Sequence, residues 1–125
     1  MKTKILILDD DNEVRFNLKI YLTDEGFNCE DFNNAENALK ALSNSEFNLA
    51  VVDLRLPGMN GEEFMLRAFK KKPDMKFIVH TGSTDYKVPD YMAEIGIRQE
   101  FVFHKPIRNM QYLVSQIRKL TTEYK

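Results

Sequence analysis

The strongest constraint on this chain is a repeated alternation between a short apolar run and a longer amphipathic stretch. Ile5-Leu6-Ile7-Leu8, Leu49-Ala50-Val51-Val52, Phe77-Ile78-Val79 and Phe101-Val102-Phe103 are too short for helices and are mostly β-branched or aromatic. Such continuous runs are how strands buried on both faces read, which is the condition of a parallel sheet covered by helices. A more polar fifth segment, Asn28 to Phe32, suits an edge strand.

Between the runs the apolar spacing becomes helical. Val14, Leu18, Tyr21 and Leu22 share one face after Asp11 or Asn12 as N-cap, and Gly26 stops the helix. Ala35, Ala38, Leu39 and Leu42 form a second stripe, with Asn33 or Asn34 to cap it. A third helix is expected over Gly61 to Lys71, with Phe64, Met65, Ala68 and Phe69 inward and Pro73 beyond its end. A fourth, Val88 to Ile95, has few apolar positions, and Pro89 fits only its first turn. The fifth, Met110 to Glu123, carries Met110, Leu113, Val114, Ile117 and Leu120 along one side. The order βαβαβαβαβα, with right-handed crossovers, predicts an α/β doubly wound parallel sheet in one domain spanning residues 1–125.

Composition narrows the function classes. The 125 residues carry 18 basic and 19 acidic side chains, a net charge of -1, so no global field favours direct nucleic-acid binding or an anionic membrane. Lys70, Lys71 and Lys72 read as the solvated C-terminal end of a helix. One cysteine, Cys29, permits no internal disulfide and fits a reducing compartment. The apolar stretch after the basic N-terminus stops at three aspartates, which is no signal peptide, and no run approaches bilayer length. A cytoplasmic protein is expected.

In doubly wound folds the site lies beyond the carboxyl ends of the strands. Asp9-Asp10-Asp11 leave the first strand, Asp53 the third, Thr81 the fourth, and Lys105 follows the fifth. Singly, such residues cap helices or sit in solvent; together they converge on one edge. Carboxylates gathered there cannot all ionise without a cation. An all-oxygen set with no nearby Cys or paired His selects a hard ion, and Mg²⁺ suits two carboxylates, a carbonyl and waters. A phosphoryl group on one carboxylate would then be offset by Mg²⁺ and Lys105 and hydrogen-bonded by Thr81, which defines an aspartyl-phosphate site. Neither histidine reads as a catalytic base.

These motifs, Ile5 to Asp11 (ILILDDD), Val51 to Gly61 (VVDLRLPGMNG), His80-Thr81-Gly82 and Lys105-Pro106, resemble the receiver domain of two-component response regulators over essentially the whole chain. The resemblance implies strand order 2-1-3-4-5 and phosphorylation of Asp53 by the phosphohistidine of a histidine kinase or histidine phosphotransfer protein. It implies Mg²⁺ on Asp10, Asp53 and the Arg55 carbonyl, with Asp9 helping through water, and Thr81 and Lys105 on the phosphoryl oxygens. A cis Lys105–Pro106 peptide is also implied. Asp11 remains a helix cap. The expected protein is a signalling phosphoacceptor, assisting only its own phosphoryl transfer and dephosphorylation, and not an enzyme with a separate substrate.

Two departures stand out. Where the family places a Tyr or Phe three residues before the lysine, this chain has Val102, and alternation turns Phe101 and Phe103 to the opposite face. In the family the positions held here by Arg55 and Ser83 border the site and tune how long the phosphoryl group survives, and the resemblance implies that role for both; Arg55 reads as solvated rather than paired. Other classes fit less well. A haloacid-dehalogenase-type phosphatase would use Asp9 and Asp11 as its D-x-D, but the chain lacks room for that core and cap. A flavodoxin-like FMN carrier would need a phosphate loop where three carboxylates stand. A docking module that has abandoned phosphorylation would not need this residue set. The surface of the last two helices and last strand is the expected docking face for a downstream protein, or for a second copy as a homodimer. No effector domain is expected after Lys125, which leaves a stand-alone regulator or a receiver from a multidomain protein.

Overall fold

The structure, a computed structural model, describes residues 2–122. Five parallel strands, β1 (Lys4–Leu8), β2 (Asn28–Phe32), β3 (Leu49–Val52), β4 (Lys76–Thr81) and β5 (Val102–His104), lie in the order β2-β1-β3-β4-β5. Four helices connect them, α1 (Asn12–Asp24), α2 (Ala35–Leu42), α3 (Gly61–Lys71) and α4 (Asp90–Ala93), and α5 (Met110–Thr121) follows the last strand. This is the doubly wound order the sequence implied. Among the described residues no helix is long and apolar enough to cross a membrane.

Alternation along each strand divides the core in two. Leu6, Leu8, Ala50, Val52, Phe77 and Val79 pack against Ala38, Leu42, Phe64, Met65 and Met92 on the α2–α3–α4 face. Ile5, Ile7, Val51, Ile78 and Phe103 pack against Leu18, Leu22, Leu113 and Ile117 on the α1–α5 face. The edge strand β2 has no fully buried residue, which accounts for its polar sequence.

Local chemistry sets the helix ends. Asp11 caps α1 by accepting hydrogen bonds from the backbone N–H groups of Glu13 and Val14 at 2.9 and 3.2 Å. Gly26, at φ +101°, ends it, and the Phe27 N–H reaches back to the Leu22 carbonyl at 3.1 Å. Asn34, Asn60 and Asn109 cap α2, α3 and α5 in the same way as Asp11.

Three expectations are corrected. The fourth helix is one turn, Asp90–Ala93, rather than Val88 to Ile95. Pro89 is its N-cap, and Gly96 at φ +94° closes the turn, leaving too few residues to propagate a helix. The fifth strand is shifted by one residue, because Phe101 belongs to a 3-10 turn, Gln99–Phe101, that precedes it. In α1 the fully buried first-turn residue is Arg15, while Val14 and Tyr21 are half-buried. The expected end of α5 at Glu123 lies outside the described residues.

Candidate phosphoacceptor site

The sheet's own hydrogen bonds continue past the strand ends and position the site. Asp53 N–H donates to the Leu8 carbonyl at 2.9 Å, Asp9 N–H to Phe32 at 3.2 Å and Lys105 N–H to Thr81 at 2.8 Å. Asp9, Asp53 and Lys105 carry on the alternation of Ile7, Val51 and Phe103, so all three side chains stand on the α1–α5 side of the sheet edge. There the Lys105 ammonium lies 3.0 Å from Asp9 Oδ2 and 3.2 Å from Asp53 Oδ2. Asp9 is 1% exposed and Asp53 5%. Asp10 is exposed, yet Asp9, Asp10 and Asp53 each bring one carboxylate oxygen within 4.8 Å of the others.

The loop after Asp53 has little slack. A Cβ on Gly61 would run into the Asp53 carbonyl oxygen and fall 2.8 Å from Leu54 Cα, so only glycine lets α3 begin against the Asp53 backbone. The Gly61 N–H donates to the Leu54 carbonyl at 3.0 Å. Gly58 turns the loop at φ +76°, and the Met59 N–H donates to Glu36 of α2 at 3.2 Å.

The electrostatics follow from this closeness. Burial, then the neighbouring Asp9 charge, pushes the Asp53 carboxyl up to about 6, against the opposing pull of Lys105 and the Arg55 N–H. For Lys105, burial works against the charged form, but the pairs with Asp9 and Asp53 outweigh it and hold the ammonium above its ordinary value. One ammonium therefore serves two buried carboxylates, with a third at the rim. That imbalance, in an all-oxygen set, is what a hard divalent cation corrects.

Other residues singled out in the sequence fall around this centre. Thr81 is buried and its Oγ1 accepts the Ser83 N–H at 3.1 Å, which leaves its hydroxyl hydrogen to donate elsewhere. The Arg55 N–H points at Asp53 Oδ1 at 3.4 Å, while its side chain is exposed and makes no ion pair among the described residues. The Lys105–Pro106 peptide is cis. Val102 is half-buried and packs against the core of the α2–α3–α4 face. His80 is buried and held neutral, its pKa pushed down to about 4 by burial and then by the Lys105 charge; His104 is exposed.

Sequence reasoning missed two supports. Arg15 donates to the Asp9 carbonyl at 3.0 Å, Asn12 Oδ1 at 2.7 Å and Asp31 Oδ2 at 2.8 Å, tying the acidic loop to α1 and β2. Its signal was an arginine one turn beyond the capping aspartate, on a face otherwise apolar. Glu62, in the first turn of α3, accepts hydrogen bonds from Tyr86 at 2.6 Å and Tyr91 at 2.7 Å. Nothing in the local spacing announces that contact.

Comparison with known proteins agrees with this geometry. The model of the response regulator receiver domain family matches residues 5–118. The chain is 32% identical to the response regulator receiver protein CpdR of Brucella abortus, covering 94% of this chain and 95% of CpdR. It spans about half (52%) of the regulatory protein VanR of Enterococcus faecium, at 30% identity over all of this chain. Among solved structures, a receiver domain protein of Methanospirillum hungatei superposes with a TM-score of 0.88 at 32% identity, covering 98% of this chain and 96% of that one. TrrA of Thermotoga maritima, solved with Mg²⁺ and BeF, gives 0.81 at 30%, covering 96% and 99%. A fold and strand-end site of this kind define a signalling domain of the two-component class. The chain belongs to the response regulator receiver domain family.

Proposed function

We propose that this domain accepts a phosphoryl group on Asp53 from the phosphohistidine of a histidine kinase or histidine phosphotransfer protein, and changes its partner binding in response. The observation that carries this reading is the buried Asp9–Lys105–Asp53 bridge, with Asp10 beside it and Thr81 on the adjoining strand. In the transfer, an Asp53 carboxylate oxygen forms a bond to phosphorus as the phosphorus–nitrogen bond of the donor breaks, and the imidazole keeps the electron pair. Asp53 must be ionised to attack, so the residues that offset its charge are those that make it competent.

Asp9, Asp10, Asp53 and the Arg55 carbonyl would hold Mg²⁺, which would neutralise charge around the acceptor and the phosphoryl oxygens. Lys105, already paired with Asp53, would keep an ammonium against the new oxygens, and Thr81 would donate its hydroxyl to one of them. Arg55 and Ser83 border the same edge and would set how readily water reaches the acyl phosphate. The related TrrA has been solved in complex with the histidine kinase ThkA, at 31% identity to this chain, which supports a kinase as donor. The α4–β5–α5 face, where Tyr91 and Tyr112 are half exposed, is the surface offered to a downstream protein or a second copy. The chain acts as one receiver unit over residues 1–125.

The test is intact mass after incubation with a small phosphodonor and Mg²⁺, comparing wild type with Asp53→Ala. One phosphoryl adduct on wild type and none on the variant is expected. An adduct on both, or on neither, overturns the proposal.

A further inference from the structure

The Asp10 carboxylate is exposed and makes no hydrogen bond or ion pair among the described residues, yet one of its oxygens lies within 4.8 Å of carboxylate oxygens on Asp9 and Asp53. Like charges that close repel, so nothing in the side chain itself keeps it there. The backbone on either side sets where it starts. Before it, the Asp9 carbonyl accepts a hydrogen bond from Arg15 Nη1 at 3.0 Å; after it, the Asp11 N–H donates to Asp9 Oδ1 at 2.9 Å. Because a peptide unit is planar, fixing the Asp9 carbonyl also fixes the direction in which the chain enters Asp10. Arg15 can act this way because it is itself held. Its Nε donates to Asp31 Oδ2 of β2 at 2.8 Å and its Nη2 to Asn12 Oδ1 at 2.7 Å, while Lys19 occupies the other Asp31 oxygen at 2.9 Å. A tether from α1 to β2 would need only the Asp31 pair. The other two bonds are made to the acidic loop and the first residue of the helix that follows it.

We propose that Arg15 is a positioning residue for the cation: acting through the Asp9–Asp10 peptide, it sets the affinity of the Asp9, Asp10 and Asp53 carboxylates for Mg²⁺. This role rests on the reading of those carboxylates as Mg²⁺ ligands. A ligand set fixed in advance gives up less freedom when the ion arrives, so loosening the loop weakens binding even though every ligand is still present. The sign of the effect separates geometry from charge. A guanidinium near a cation site repels the cation, so on charge alone the loss of Arg15 tightens Mg²⁺ binding, whereas on geometry it weakens it. Lysine divides the two further. It keeps the charge, but no single ammonium can stand where three nitrogens of one rigid plane stand.

The test needs no phosphodonor. The whole metal-free chain, isotope-labelled at carbon, is titrated with Mg²⁺ alone while the side-chain carboxyl carbons of Asp9, Asp10 and Asp53 are followed by NMR, on samples whose amide spectra show a folded chain. Saturable shifts are expected in wild type. Arg15→Lys and Arg15→Met should each raise the Mg²⁺ dissociation constant by about tenfold or more, the lysine variant keeping the measurement available where methionine does not fold. Lys19→Met removes the other partner of Asp31 but leaves all three Arg15 bonds in place, and should stay within about twofold of wild type. Unchanged or tighter Mg²⁺ binding in Arg15→Lys, or an equal weakening in Lys19→Met, would overturn the role of Arg15 and leave the Mg²⁺ ligands standing. A wild type without saturable shifts would overturn both.

Discussion

At the β1–β3 corner the chain leaves the sheet into loops pinned at nearly every residue; beyond β4, from Gly82 to Pro89, it is held by a few side chains reaching in from elsewhere. In the first corner Asp9, Asp53 and Arg15 are buried, the backbones of Asp9 and Asp53 continue the sheet ladder, and Gly61 presses α3 onto the Asp53 carbonyl. In the second, Tyr86 and Tyr91 hang from Glu62, and Gln99 bonds the Tyr86 carbonyl and the Val88 N–H at 3.0 and 2.9 Å. The contrast is between a charge centre that tolerates little displacement and a segment whose fastenings are few, half exposed and separately releasable. A site that must hold charge in place belongs to the first kind of construction, and a surface that must change belongs to the second.

The sharpest way to break this contrast is at Gly61. Gly61→Ala drives a methyl into backbone on both sides and should cost more than about 4 kcal/mol, read as loss of a cooperative urea transition or a sharp fall in its midpoint. Arg15→Met should cost about 3 kcal/mol, since it strips the Asp9 carbonyl and Asn12 of a partner and leaves Asp31 with Lys19 alone. The same Asp31 carboxyl offers a check: burial would raise it, but Lys19 and Arg15 together hold it below its ordinary value, so the variant should move its titration upward by carbon-detected NMR.

Asp53→Asn should act in the opposite direction. The folded carboxyl, near 6, sits above its ordinary 3.8, so between these values the folded protein keeps a proton that the unfolded chain has lost. The residue therefore favours folding at low pH, and that contribution disappears as pH rises through about 6. In metal-free buffer at neutral pH the asparagine variant should be more stable than wild type by about 2 kcal/mol, and the gap should close toward pH 4. Adding Mg²⁺ should narrow it at neutral pH by stabilising the wild-type protein. A gap independent of pH would show that burial and the Asp9 charge do not hold the Asp53 carboxyl above its ordinary value.

The smallest effect is expected at the second corner. Tyr86→Phe removes one hydrogen bond to Glu62 and should cost about 1 kcal/mol, with faster amide exchange confined to residues 82–89. Tyr91→Phe should cost less, its ring being half exposed. A loss at Tyr86 equal to that at Arg15 would erase the distinction between the two corners.

Much of the first corner was legible in the sequence because its cause is local. Ile5 to Leu8 and Leu49 to Val52 can only be buried strands, and the residue after each must emerge at the sheet edge, so Asp9 and Asp53 were placed by strand length alone. The third helix runs from Gly61 to Lys71, as its apolar spacing implied. What escaped notice depends on contacts between segments distant in the chain. Arg15 lies on an apolar stripe and is buried because the carbonyl of Asp9 and the carboxylate of Asp31 await it. The single turn of α4 reflects a contest between weak propensity and Gly96 that spacing cannot decide. Alternation turns Val102 away from Phe101 and Phe103, as the two cores bear out, yet which helices cover it depends on segments distant in the chain.

The brevity of β5 carries a consequence for how the molecule assembles. Three residues pair with β4, Val102 opposite Val79, Phe103 opposite His80 and His104 opposite Thr81, which is little to distinguish the correct alignment from one slipped by a residue. A slip of one would turn Lys105 to the other side of the sheet and leave Asp9 and Asp53 buried together without a counter-charge. The two carboxylates thus reject misaligned edges during folding: the final strand is admitted only when it delivers its ammonium to the right side.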